Sequence, residues 1–338
     1  MIGVRRVHGP AGPAPVRRER SARRTSTIDM TWPGGFGTQL RLDGIARDAV
    51  TSDPVEPPAA VAAARTSVGI GADRTIEDAA ADGNHPGLDR LIGCRGGGHL
   101  RAALDQHLAD ERAAGTPLAL LLDDVAGASL IAAFGWSRWT ADWISPPGRT
   151  ERPSMEGVCI GFAPGSSALA GRGANMQAHR TSPVGGLVHP DDPHGWHPLP
   201  PLPDVSMRRA RWIDVWRDGD AVEIDAGFQD SSGDPEHGRI AVHEYTLRAT
   251  ADAATLTLCR LEIAPRVLPF AECPAAIDHA TAMVGTRLRD LRTAVPRQLA
   301  GTTGCTHLND ALRALAEVPV LLAQLDTHPP STTRSSLR

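Results

Sequence analysis

The chain repeats itself, and that constrains its fold more than any other feature. RRTSTIDMTW (residues 23–32) returns as RRARWIDVWR (residues 208–217), with an Asp five residues after the second Arg each time: Arg24 to Asp29, Arg209 to Asp214. LRLDGIARD (40–48) parallels VEIDAGFQD (222–230), setting Asp43 on Asp225 and Asp48 on Asp230. ARTSVGIGAD (64–73) lies against HEYTLRATAD (243–252), each a period-two strand pattern closed by an Asp turn. Helical patterns follow in both places, HPGLDRLIG and HLRAALDQHLA first, CPAAIDHATAMVG and LRDLRTAVPRQLA later. AGTPLALLLDDVAGASL (114–130) then overlies AGTTGCTHLNDALRAL (300–315), bringing Asp124 onto Asp310.

Five correspondences in one order predict an α+β protein made of two tandem copies of a strands-then-helices unit. Residues 23–135 are the first copy and 207–325 the second. Between them, residues 136–206 form a connecting segment rich in Trp and Pro, with Trp136, Trp139, Trp143, Trp196 and Cys159. An Arg-rich arm (1–22) and a tail (326–338) have the composition of disordered ends. The copies differ where chemistry belongs: His243 falls on Ala64, Cys305 on Ala119 and His307 on Leu121. The first copy therefore reads as degenerate and the second as the working one.

Composition narrows the chemistry. Among 338 residues there is no lysine, so all 35 basic residues are Arg. Schiff-base catalysis, lysine-anchored pyridoxal phosphate and the P-loop lysine are thereby excluded. Aromatics are 4% of the chain, which leaves the core to Leu, Val, Ile and Ala. The net charge is −4, with seven Arg against one Glu in residues 1–24, so the rest is acidic. That balance argues against a nucleic-acid partner for the body. No run of 18 apolar residues marks a membrane span, and no secretory pattern follows the Arg pairs. A cytoplasmic protein with five reduced cysteines is expected.

The candidate site lies in GTTGCTHLNDALRALA (301–316), a glycine turn leading into an amphipathic helix with Leu308, Leu312 and Leu315 inward. Thr306 or Asn309 would cap it, placing Cys305 and His307 at the helix start, where the dipole favours a thiolate. His243 and Tyr245 share one strand face, and Cys273 precedes Pro274 at another helix start. Cys273, Cys305, His243 and His307 have the donor types for zinc or iron. Glu244, with Arg65 opposite instead of an acid, is the general-base candidate. Asp214, Asp225, Asp230 and Asp252 recur in both copies and read as turn and cap residues.

RRARWIDVW, VHEYTLRATAD, PRVLPFAECPAA and GTTGCTHLND together resemble the bacterial family catalogued as domain of unknown function 2889, over about 208–321. The first copy looks like the longer actinobacterial version. The resemblance implies the unit and its Cys305/His307 motif, and no substrate.

Two function classes follow. One is a small-molecule enzyme, hydrolase-like or metal-dependent, with Cys305 as nucleophile and His307 or His243 as base, or with these residues holding a metal that activates water. The other is a scaffold or accessory module whose Cys/His set clamps a structural zinc. Substrate and oligomeric state lie beyond these residues.

Overall fold

Alternating apolar and polar runs on both sides of the connecting segment form strands. All nine strands among the described residues join one sheet, antiparallel throughout. The structure is a computed structural model and describes residues 7–140, 154–169 and 180–328. Its strands are β1 (Ser21–Thr31), β2 (Leu40–Thr51), β3 (Ala59–Ile70), β4 (Ile76–Ala81), β5 (Ser182–Pro183), β6 (Met207–Asp218), β7 (Ala221–Asp234), β8 (Gly238–Asp252) and β9 (Leu258–Val267). Their order is β4-β3-β2-β1-β6-β7-β8-β5, with β9 also paired to β8. β1–β4 and β6–β9 thus each run as consecutive antiparallel neighbours, and the two runs meet where β1 pairs with β6. The fold is α+β, as expected. Trp143, the Arg5-Arg6 pair and the tail beyond residue 328 lie outside the described residues.

The junction is built from reciprocal ion pairs. Arg23 stands opposite Asp214 and Asp29 opposite Arg208, with Ser26 facing Arg211 at the midpoint. Arg23 grips Asp214 at 2.5 and 2.6 Å, and Arg208 grips Asp29 at 2.6 and 2.7 Å. One residue along, the pleat turns the next pair of guanidiniums to the other face. There Arg24 binds Asp48 at 2.5 and 2.6 Å, and Arg209 binds Asp230 at 2.9 and 3.0 Å. All eight side chains are buried. Asp214 and Asp230, expected at turns and caps, are therefore mid-strand partners of Arg; Asp252 does sit at a turn, accepting from the Thr255 amide.

Helices cover the Arg24/Arg209 face: α1 (Leu100–His107), α2 (Ala109–Ala114), α3 (Pro117–Ile131), α4 (Ala276–Ala280), α5 (Leu291–Gln298), α6 (Thr306–Ala314) and α7 (Val318–Thr327). Thr116 caps α3 by accepting from the Ala119 amide, and Pro117 fills its first turn, where no amide partner is needed. The run Pro117–Trp136 has a mean hydropathy of 1.7, enough by length and composition to cross a membrane. It is instead largely buried against β1, β2 and β3, and its acids Asp123 and Asp124 are held by Arg313 and Arg211.

The opposite face is covered by the N-terminal segment and by residues 184–204. The arm expected to be disordered over 1–22 is hydrogen-bonded at His8 and Gly9, which donate to the Pro265 and Arg266 carbonyls, and is buried at Ala14 and Arg17. Ala14 donates to the Leu187 carbonyl, Arg17 is buried on Asp192, and β1 begins at Ser21. On this face Asp192 binds Arg17 of the arm, and Asp214 binds Arg23 just beyond it. His197 lies here between Thr25 and Thr27, whose hydroxyls meet its two ring nitrogens at 2.8 and 2.9 Å. Burial, then the cations Arg47, Arg208 and Arg65, push its pKa down to about 3.

Two outcomes follow. Asp214→Asn and Asp29→Asn should each destabilise the fold by about 3–5 kcal/mol in urea titrations, because each strands a buried guanidinium. Losses below about 1 kcal/mol would mean that the junction does not depend on these pairs. His197 takes up a proton in the unfolded chain before it does in the folded one, so stability is intact above its ordinary value of 6.5 and falls as pH drops toward 3. His197→Gln should flatten the loss of stability between pH 7 and 5 relative to the parent chain.

Candidate functional site

On the helix-covered face, β7 carries Asp230 and β8 carries His243 directly opposite it. α6 supplies His307 from above the sheet. Cys305 occupies the N-cap of that helix in an extended conformation, so His307 is the second residue of its first turn. Leu308, Leu312 and Leu315 point into the core as the sequence pattern requires. The two imidazoles stack with centroids 3.4 Å apart and planes 13° from parallel. Asp230 Oδ2 lies 3.5 Å from His307 Nε2 and 3.9 Å from His243 Nδ1. One donor atom from each of the three residues falls within 4.8 Å of the other two.

The surroundings fix the charge state. Arg209 bonds both Asp230 oxygens and reaches Asp310 at 2.8 Å, and Arg211 binds Asp124 at 2.8 and 3.0 Å. Arg101 holds the other oxygen of Asp310. Burial above all, and then Arg209, lower the pKa of His307 to about 3, with Asp310 opposing. His307 is thus a neutral imidazole. Its Nδ1 meets the Thr306 hydroxyl at 3.3 Å, while Nε2 is buried without a hydrogen-bond partner and faces Asp230. A neutral imidazole with its inner nitrogen unsatisfied beside a carboxyl group is a good metal donor.

The four residues expected to form one Cys/His set divide into two groups. His243 and His307 gather at Asp230, while Cys305 accepts from the Tyr245 hydroxyl at 3.4 Å and neighbours Cys273 and Cys159. The reason lies in α6, where side chains two residues apart diverge around the helix. Burial also works against the expected thiolate. Burial, followed by the Cys159 sulfur, raises the Cys305 pKa to about 11 against the pull of the Tyr245 hydroxyl and the amides of Leu308 and His307. Cys273 is raised further, by burial and then by Cys305.

Glu244 follows His243 and so points to the other face. It accepts from Gln229 at 3.2 Å and from the Ala11 amide at 3.2 and 3.3 Å, in a cleft lined by Trp196 and Trp212. Burial raises its pKa, yet the sheet separates it from both histidines. It is no base for them.

The alignment of the halves also shifts. Asp48 pairs with Ala62 and Asp230 with His243, so Ala62, two residues before Ala64, occupies the place of His243. The slip arises because β8 runs on to Asp252 whereas β3 stops at Ile70, three residues short of Asp73. Asp230 is the site residue that sequence reasoning passed over. Its recurrence as Asp48 marked it as scaffold, and only the cross-strand register brings it to His243. A second acid–histidine group, Asp234, Glu236 and His237, closes the β7–β8 hairpin, where Asp234 accepts from the amides of Glu236 and His237.

Alkylation should rank the thiols by these environments. At neutral pH, Cys259, which is exposed, should react with iodoacetamide at least tenfold faster than Cys305 or Cys273, by peptide mass spectrometry. Equal rates would restore the thiolate reading.

Comparison with curated proteins and with solved structures finds no match. Residues 207–321, from the first residue of β6 into α7, match the family described as "Protein of unknown function (DUF2889)". That span contains Arg209, Asp230, His243, Cys273, Cys305 and His307 together. The matched part of the chain has the whole Asp/His cluster inside it.

Proposed function

We propose that the protein is a small-molecule enzyme whose reaction centres on a divalent metal ion, zinc or iron, held by Asp230, His243 and His307. One observation carries the reading: two neutral-capable imidazoles and a carboxylate converge in a half whose counterpart has the same Arg–Asp pair without the histidines. Arg24–Asp48 repeats Arg209–Asp230, yet Ala62 stands where His243 does. The Arg–Asp pair is thus sufficient for the scaffold, and the histidines are additional to it. We read β1–β4 with α1–α3 and β6–β9 with α4–α7 as two copies of one unit, the first degenerate. The shared strand pairing and the reciprocal Arg–Asp pairs support this.

Three protein donors leave one position open on a four-coordinate ion, where bound water becomes a nucleophile at neutral pH or a substrate oxygen is polarised. Hydrolytic or related acyl chemistry on a small molecule fits that arrangement. Arg209 bonds Asp230 on both oxygens and so holds it oriented toward the histidines.

A second reading has its own support. Asp230 is 0% exposed, His243 5% and His307 7%. Such closure suits a structural ion that contributes folding energy and meets no substrate.

Metal analysis of Cys305→Ser protein purified without chelator should find about one ion per chain. It should be lost when His243→Ala or His307→Ala is added to that background. No metal in Cys305→Ser, or full retention in both double variants, would end the proposal. Cobalt substitution then separates the readings: a visible spectrum perturbed by added azide marks an open position and an enzyme. An inert spectrum, with unfolding on chelation, marks the structural site.

A further inference from the structure

Three of the five cysteines converge at the start of α6. Cys159 comes from the segment 154–169, Cys273 from the start of the short helix Cys273–Ala275, and Cys305 from the N-cap of α6. All three are buried and all are free thiols. Gly161 marks their meeting point: a β-carbon there would lie 3.0 Å from the Cys273 sulfur and 3.8 Å from that of Cys159. Cys305 is close enough to both that negative charge on one sulfur opposes it on the others. The segment is tied down beside them by the Ile160 amide, which donates to the Gly304 carbonyl at 2.8 Å.

Burial raises all three thiols and keeps them protonated without a cation, while backbone and hydroxyl donors aimed at the sulfurs oppose it in part. Backbone N–H groups of Gly161, Phe162 and Thr306 face Cys159, those of His307 and Leu308 face Cys305, and the Tyr245 hydroxyl donates to Cys305. No basic side chain is bonded to any of the three sulfurs among the described residues. Three buried thiolates so placed would repel one another unless a cation joined them. Three thiolates with a dication leave a net charge of −1, which oriented amides can offset, whereas a monovalent ion would leave −2.

We propose that Cys159, Cys273 and Cys305 form a second metal site, independent of the histidine centre, for a thiophilic d10 dication of the zinc and cadmium class. Each thiol releases its proton to solvent as its sulfur binds the ion. Sulfur bonds of ~2.3 Å set sulfur separations near ~4 Å. The three sulfurs are not all within 4.8 Å of one another, so binding draws them together. One ligand from each of three chain segments makes the ion a clasp between the connecting segment, the helix after β9 and α6. Soft thiolates select such ions, while the Asp/His/His set suits harder or borderline ones, so one chain can hold two different metals.

Cadmium is the probe, because a cadmium–thiolate charge-transfer band in the ultraviolet reports sulfur ligation and is silent to imidazole. The full chain carries Cys94→Ser and Cys259→Ser, which removes the two cysteines outside the cluster. Titration should give one cadmium per chain with the band, at least a tenfold loss of affinity in Cys159→Ser and in Cys273→Ser, and no change in His243→Ala. Circular dichroism checks that each variant folds, and either cysteine variant alone decides the question. No band in the parent chain overturns the proposal, as does a band unchanged in a folded cysteine variant. A band lost in His243→Ala and kept in Cys159→Ser would place cadmium at the histidine centre and also overturn it.

Discussion

Buried Arg–carboxylate pairing is the constraint on which this structure depends. Four bidentate pairs cross the middle of the sheet, two on each face. Taking both ions out of water costs several kcal/mol per charge, and only close, doubly bonded geometry recovers it. Arginine can supply that geometry because its planar fork matches a carboxylate edge, which a lysine ammonium cannot do. A chain without lysine that concentrates arginines in pairs along two strands is therefore suited to such a sheet. The pairs also fix register: a shift of one residue between β1 and β6 would leave Arg23, Arg208, Asp29 and Asp214 all buried and unmatched.

The same pairs explain why a site can arise in one half. Arg209 lies in a network with Asp230, Asp310 and Asp124, so the acid beneath the histidines is held whether or not they are present. In the first half, Arg24 is satisfied by Asp48, Glu317 and the Gly115 carbonyl, and an alanine completes the layer. Replacing that alanine by histidine on a face already carrying an ordered acid needs no new backbone. A donor set is thereby built on rigid strands, where geometry is held more closely than on a loop.

Burial governs the chemistry on each side of the sheet. On the helix face it keeps His307 neutral and raises the Cys305 thiol, which works against the expected nucleophile. On the other face it keeps His197 neutral between two threonines and raises Glu244 in a cleft that the histidines do not share. The dipole at the start of α6 does favour a thiolate, but it acts on a sulfur with no basic side chain bonded to it, and desolvation is the larger effect.

The sequence by itself determined the class of fold, the strand-then-helix order in each half, the arginine and aspartate positions and the inward leucines of α6, because these follow from periodicity and from side-chain type. It also singled out His243, His307, Cys273 and Cys305 as candidates for a site. Only the tertiary structure decided which of them meet. Asp230 joins His243 through a cross-strand register that no spacing in the chain records, and Glu244 is excluded by the alternation of a strand whose faces are packed differently. Cys159 reaches Cys305 across 146 positions because the connecting segment docks on the turn before α6. The packed end of the arm was invisible for a related reason: Arg17 reads as solvated until the distant acid that binds it, Asp192, is folded beneath it.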